Sequence, residues 1–325
     1  MPPRPAGNAV RTARVTSGEL LELFAWLDRD PVVNVYLVAL LLRDRLGAAP
    51  GECWLARRAG ALAGLVHLCV ATGAVLPAGD GPDVHDALAE LVASRLAILP
   101  SRFLVVGDRA AVGSVVDRLR PAGLEPGRHH PQTYMAVERG GLSPFEPLPE
   151  LRPARPEDYD IVHRSGADLR AEELGDDPRA SDPDGYARRV EDECRGGYTW
   201  LWIEDGELRF RASLGALTAD AAQIAGVYTP PAQRGRGYAR RGTAELCARQ
   251  LERVGAACLF VADTNAPAIA VYRRLGFRPL AAWASAFYER LPGAGPPTRP
   301  RVRRFATVRS QADRDSPPFR TGGRT

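Results

Sequence analysis

Between Ile224 and Tyr238 the chain passes from an apolar run, Ile224 to Thr229, through two prolines at 230 and 231 and into Arg234-Gly235-Arg236-Gly237. A helical pattern from Arg240 to Val254 follows at once, and a second apolar run, Cys258 to Val261, comes after Gly255. Proline cannot donate to a sheet ladder, so the first strand stops there. Two strands joined by a helix run parallel with a right-handed crossover. The glycine loop therefore sits at the carboxyl end of a strand, where open α/β sheets bind ligands. The first N–H groups of a helix have no partner inside it, and the macrodipole adds positive charge there. Gly235 and Gly237 carry no Cβ and let the main chain approach a ligand closely. A phosphate or pyrophosphate is the expected tenant.

The surroundings of this unit read as mixed α/β (α+β). Upstream, Ile161–Leu174 is helical and Tyr186–Cys194 forms another short helix. Tyr198–Ile203 and Leu208–Leu214 pair as a hairpin through Asp205-Gly206, and Gly226 inside the next strand marks a bulge or a close backbone approach. Downstream, Asn265 is placed to cap a helix at 268–275, and Phe277–Pro279 with Ala282–Tyr288 read as closing strands. In the first half the pattern predicts helices at 17–27, from Pro31 through Leu46, at 84–96 and at 109–120. It predicts strands at 53–57, 62–70, 102–106 and 133–138, with a Gly/Pro/Asp loop at 77–83. The 325 residues accommodate two domains, and the prolines at 144, 147, 149 and 153 mark the boundary. The expected organisation is a disordered start (1–14), a first domain (15–140), a linker (141–150), a second domain (151–291) and a disordered Arg/Pro-rich tail (292–325).

Composition narrows the chemistry. All 43 basic residues are arginine, which excludes a lysine Schiff base or a lysine general base. The tail's eight arginines against Asp313 and Asp315 more than account for the net charge of +4. The remainder is slightly acidic, so no nucleic-acid surface is expected. The five cysteines (53, 69, 194, 247 and 258) form no Cys-x-x-Cys pair and read as reduced core thiols of a cytoplasmic protein, with no metal. The N-terminus has no signal-peptide pattern, and Val32–Leu42 is too short and too interrupted for a membrane span.

A P-loop is excluded because no Gly-Lys-Ser/Thr follows, and a dinucleotide fingerprint fails at its third glycine, which would be Arg240. The segment Arg234-Gly235-Arg236-Gly237-Tyr238-Ala239 resembles the Arg/Gln-x-x-Gly-x-Gly/Ala signature of the GNAT N-acetyltransferase superfamily. Asn265-x-x-Ala268-x-x-x-Tyr272 followed by Leu275-Gly276-Phe277 is similar to the second half of that pattern. The resemblance covers Leu151 to about Tyr288. It implies a mixed sheet with two splayed parallel strands, coenzyme A in the gap, and acetyl transfer from acetyl-CoA to a primary amine of a small molecule or protein. By resemblance, Val227, Tyr228 and Thr229 hold the pantetheine arm and the thioester carbonyl. The backbone of Gly235, Arg236, Gly237, Tyr238, Ala239 and Arg240 takes the pyrophosphate, with Arg234, Arg236 or Arg240 adding charge. Asn265 hydrogen-bonds the cofactor and Tyr272 protonates the departing sulfur. Many relatives carry a glutamate on the central strand, where this chain has Gln223; Glu172, Glu173, Glu204 and Tyr288 are the substitutes to weigh as general base. That gap keeps open a second reading, a non-catalytic acyl-CoA-binding regulatory module. A homodimer is compatible with either.

Val105–Pro126 echoes Phe260–Pro279. Aligned on Leu119 and Leu275, Arg109 stands where Asn265 does and Val116 where Tyr272 does. The counterpart of the arginine-glycine loop would lie at 77–83, where two aspartates would repel a pyrophosphate. The expected architecture is two GNAT-like domains, each a mixed sheet flanked by helices, the first degenerate.

Overall fold

The computed structural model describes residues 9–43, 51–70 and 72–290. The first half runs β1 (Arg11–Arg14), α1 (Leu20–Leu27), α2 (Val35–Arg43), β2 (Gly51–Arg58), β3 (Ala61–Cys69), β4 (Ala74–Gly79), α3 (Pro82–Ser94), β5 (Arg102–Asp108), α4 (Arg109–Leu119) and β6 (Arg128–Glu138). The second runs β7 (Arg152–Pro153), α5 (Tyr159–Leu174), α6 (Pro178–Ser181), α7 (Pro183–Gly196), β8 (Thr199–Glu204), β9 (Glu207–Leu217), β10 (Ala221–Tyr228), α8 (Tyr238–Leu251), β11 (Ala256–Ala262), α9 (Ala266–Arg274) and β12 (Arg278–Glu289).

All twelve described strands belong to one sheet, ordered β1-β2-β3-β4-β5-β12-β6-β11-β10-β9-β8-β7. The repeat seen in the sequence is real in space: β4-α3-β5-α4-β6 and β10-α8-β11-α9-β12 have the same order of elements, and each contains one parallel strand pair. What the repeat did not announce is an exchange. β12 of the second half pairs with β5 of the first, while β6 of the first half pairs with β11 of the second. The two exchanged strands pair with each other from Arg278↔Ala136 to Phe287↔Arg128. Each half therefore completes the other's sheet, and no sheet edge is left at the junction. Segment 141–150 is also packed rather than loose: Leu148 is buried, and Arg241 and Arg249 of α8 donate to the carbonyls of Pro147 and Leu151 at 2.6 Å.

Several local expectations change. Residues 77–83 were expected as a loop, yet Ala74–Gly79 is the buried strand β4, because its neighbours β3 and β5 override the turn composition. Arg11–Arg14, expected within a disordered start, pairs with β2. The helix expected from Pro31 begins at Val35, after a turn in which Asn34 Nδ2 donates to the Leu27 carbonyl; its expected end at 44–46 lies outside the described residues, as do residues 1–8 and the tail 292–325. The two closing strands are one, with a register shift between Pro279 and Ala281 at the residue that has no N–H to give. The Asp205-Gly206 turn has φ of 53° and 76°, the left-handed pair that a two-residue hairpin needs.

One apolar core lies between the sheet and α3/α4, and another between it and α8/α9. On the first half α1 and α2 cover another part of the sheet, and Val35 and Ala39 of α2 reach across to Ala216, Ala221, Ala256 and Cys258 of the second half.

Candidate active site

β10 and β11 pair in parallel only at Ala221↔Ala256, Ala222↔Ala257 and Gln223↔Cys258. Beyond that point β11 continues along β6 to Ala262↔Gln132, whereas β10 turns with β9 through a bulge between Ala225 and Tyr228. Gly226 sits in the bulge at φ 59°, and Leu169 of α5 lies 3.6 Å from where its Cβ would be. The two strands thus open like a V. A large cleft passes through the opening, lined by Val227, Tyr228, Thr229, Arg234, Gly235, Gly237, Tyr238, Ala239, Arg240, Asn265 and Tyr272. Arg236 is the expected residue that stays outside; its exposed guanidinium donates to Gln233 Oε1 at 3.3 Å.

At one side of the cleft stands the N-terminus of α8. Its N-cap, Gly237, has φ 83°, and no side chain caps it. A Cβ on Gly235 or Gly237 would meet nothing within 4 Å, so the glycines keep the amides bare and the backbone left-handed. The Tyr238 ring packs edge-on to Trp202 at 4.8 Å. These are the features a pyrophosphate requires: unpartnered donors at the positive end of a helix, and room to reach them. The first half is built differently. There Asp83 stands in the first turn of α3, and Arg58 clamps its carboxylate at 2.5 and 2.7 Å. The corresponding helix start is filled by the chain's own anion.

Arg234 is committed elsewhere. Its Nε donates to the Thr229 carbonyl at 3.0 Å, its Nη2 reaches both oxygens of Glu172 at 2.6 and 2.8 Å, and it lies over the Tyr228 ring. The side chain ties the turn to α5 rather than projecting as a free charge. Thr229 Oγ1 is buried and has no partner among the described residues, which leaves one polar atom for a ligand at the mouth of the V. Asn265 caps α9 through Oδ1, which accepts from the Ala268 amide at 3.2 Å. Tyr272, two turns along that helix, is 7% exposed and packs on Phe277. Burial first, then the charge of Glu173, pushes its phenol well above the ordinary tyrosine range. It stays protonated at neutral pH, the state a proton donor needs.

The candidate bases separate. Glu204 pairs with Arg209 at the tip of the β8–β9 hairpin, and Tyr288 stacks on Phe103 at 4.7 Å within the first half's core. Glu204 does not line the cleft, whereas Tyr288 lines it from β12, away from the β10 bulge. Glu172 is held by Arg234. Gln223 lines the cleft where many relatives carry a carboxylate, with Nε2 3.5 Å from the Tyr134 hydroxyl. Glu173 also lines the cleft, and its side chain is exposed to it. Burial, with the neighbouring charge of Glu172, pushes that carboxyl above the usual range.

The far end of the cleft carries residues that no motif marked. Alongside the loop after α5 (Gly175, Asp176) and β12 (Ser285, Phe287) stand Arg128 and His130 of β6. They belong to the first half in sequence and reach the second half's site only through the strand exchange.

A model of the family described as "Acetyltransferase (GNAT) family" matches residues 167–277. A mycothiol acetyltransferase of Actinosynnema mirum is 31% identical over 272 residues, covering 74% of this chain and 84% of that protein. Among solved structures, a Drosophila protein superposes with a TM-score of 0.57 at 14% identity, covering 86% of this chain and 99% of its own. A tandem GNAT protein from the clavulanic acid biosynthesis pathway superposes at 0.50 with 17% identity, covering 89% and 100%. At such identities the two structures speak for the fold alone.

Proposed function

The chain belongs to the GNAT acetyltransferase family, and on that premise we propose that it moves an acetyl group from acetyl-CoA to a primary amine. The observation that carries this reading is the uncapped, glycine-bared start of α8 beside the opening of β10 and β11, in one cleft with the buried phenol of Tyr272.

In this reading the backbone amides of Gly235 and of Gly237 to Arg240 take the pyrophosphate, and Val227, Tyr228 and Thr229 guide the pantetheine arm along the free edge of β10. That edge is available because the strand no longer pairs with β11. A backbone amide of the bulged segment and the unpartnered Thr229 hydroxyl are the donors for the oxygen that gains charge as the amine attacks. Asn265 keeps its amide nitrogen for the cofactor while its oxygen caps α9. Tyr272 gives its proton to the leaving thiolate. The exchanged strands, with Arg128 and His130, form part of the acceptor's wall. The five buried, unpaired cysteines support a reducing compartment, the cytoplasm. Among the described residues no helix is long and apolar enough to cross a membrane.

The acceptor is a small-molecule amine or a protein amine, and the acceptor of the mycothiol acetyltransferase reaction is the first to try. Release of free thiol from acetyl-CoA, followed over a panel of primary amines, tests the proposal. Binding of acetyl-CoA by calorimetry with no thiol release for any amine would favour the second reading, a regulatory acyl-CoA-binding module. Gln223 in place of a strand carboxylate is what speaks for that alternative.

A further inference from the structure

The proton that an ammonium acceptor must lose has no receiver on β10, where Gln223 cannot take it. We infer that Glu173, at the C-terminal turn of α5, is the general base of the transfer, reaching the amine directly or through one water. The inference rests on the acetyl-transfer reading above and supplies the group which that reading leaves unnamed.

Three observations carry it. First, α5 docks on the V itself: Leu169 covers Gly226 at the bulge, and Glu173, four residues on, lies on the same helix face one turn nearer the opening. Second, Glu173 of α5 and Tyr272 of α9 line the same cleft as the end of β10, so base and acid come from two different helices. Third, Glu173 has no hydrogen-bond or ion-pair partner among the described residues, whereas its neighbours do. Glu172 is held by Arg234, and Asp176 by Arg170 at 2.9 Å. Glu191, another unpaired carboxylate along the cleft, acts on Tyr159 at the opposite end of α5. A base must be free to bind and release a proton, and a carboxylate locked to arginine is not. Burial of the carboxyl and, second, the charge of Glu172 raise Glu173 above the usual range, toward the working pH. Charged or titratable groups that line the cleft with it include Tyr228, Tyr272, the Glu172–Arg234 pair, the Arg170–Asp176 pair, Arg128 beside Gly175, His130, and Asp182, Arg188, Arg189, Glu191 and Asp192 around α7.

The step balances. Glu173 takes one proton from the ammonium and passes it to solvent. The amine nitrogen then forms its bond to the thioester carbon, and the carbonyl electron pair moves onto oxygen. As that pair returns, the carbon–sulfur bond breaks and Tyr272 protonates the thiolate. The second proton leaves nitrogen for the tyrosinate, through water. Amide, free thiol and one released proton result.

The test compares wild type, Glu173→Gln, Glu173→Asp and Glu172→Gln, with acetyl-CoA and a panel of an amino sugar, an amino-acid amide, a polyamine and a peptide amine. In Glu173→Gln, kcat/KM at pH 7 should fall by about 10²-fold or more while acetyl-CoA affinity by calorimetry holds. The acidic limb of the wild-type kcat/KM profile should be lost at its wild-type position and replaced by a rise at higher pH, where solution hydroxide deprotonates the amine and the deficit shrinks. Glu173→Asp should retain the limb with an intermediate rate. Glu172→Gln should keep the limb whatever its rate. Glu173→Gln with an unchanged rate and limb, or loss of the limb only in Glu172→Gln, would overturn the assignment and leave acetyl transfer standing. A wild type that binds acetyl-CoA but releases no thiol with any amine sinks the transfer reading, and the base with it.

Discussion

Arg109 and Asp263, 154 positions apart, close an ion pair of 2.7 Å across the seam between the two halves. The same guanidinium donates to the Gln132 carbonyl on β6 at 2.6 Å and to the Trp283 carbonyl on β12 at 3.2 Å. One side chain thus stitches both exchanged strands to the end of β11, from the residue after Asp108, which caps α4 as Asn265 caps α9. Arg109→Ala should cost about 1–2 kcal/mol, read as a lower urea midpoint, chiefly from the two stranded carbonyls. The ion pair itself is 41% and 36% exposed at its two side chains, so solvent screens it and Asp263→Ala should cost less. Costs that add without coupling in the double mutant would show that the pair contributes nothing of its own.

Tyr272→Phe should reduce kcat by about 10²-fold and leave acetyl-CoA affinity within a factor of three, because the ring's packing survives and only the proton is lost. Thiol release and calorimetry on the same preparation check this. A kcat within a factor of two of wild type removes Tyr272 from the mechanism.

Gly237→Ala places a Cβ on a residue at φ 83°, which costs about 1–2 kcal/mol of backbone strain although nothing stands within 4 Å of it. The strain falls on the first turn of α8, so acetyl-CoA affinity should drop by about tenfold and thermal stability modestly. Affinity equal to wild type would show that the pyrophosphate lies elsewhere.

Gly242 has another job. In mid-helix α8, its Cβ would meet the Phe210 ring at 2.4 Å, so the glycine is what lets the helix lie close on β9. Gly242→Ala should destabilise by about 1–3 kcal/mol through overpacking, despite alanine's better helix propensity. A gain in melting temperature would contradict the contact.

Asp158 is buried and accepts from Arg152 at 2.6 and 2.9 Å and from the Arg155 amide at 2.8 Å. The Arg152 hydrogen bonds hold its carboxyl below the usual aspartate range, against the opposing effect of burial. A depressed folded-state pKa means that the stabilisation is complete above about pH 4 and is lost as pH falls through the lower folded value. Asp158→Asn should cost about 1–3 kcal/mol at pH 7 and flatten part of the acid limb of stability, measured by urea melts from pH 7 to pH 3. An unchanged acid limb would exclude this carboxylate as a contributor.

Much of this molecule could be read from residue order, and for a local reason. Pro230-Pro231, Gly235 and Gly237 dictate strand end, turn and helix start through constraints that act within a few residues. Asn265 and Asp205-Gly206 likewise cap and turn the chain by hydrogen bonds and φ values of their own. The pairing of 234–239 with 265–272 was therefore visible before any fold, and so was the echo of Val105–Pro126 in Phe260–Pro279. Composition misled where burial outweighed it: Ala74–Gly79 carries turn residues and is nonetheless a strand, held by a partner on each side.

Only the tertiary structure decided what depends on residues far apart. β6 and β12 look like ordinary closing strands, and nothing in their sequence says that each closes the other half's sheet; the exchange is a choice among hydrogen-bond partners that many strands could satisfy equally well. It brings Arg128 and His130 to the second half's cleft, and the docking of Leu169 on Gly226 brings Glu173 to the V. Among Glu172, Glu173, Glu204 and Tyr288 the sequence had no means to choose. Which carboxylate an arginine neutralises, and which is left without a partner along the cleft, is a property of the packed surroundings.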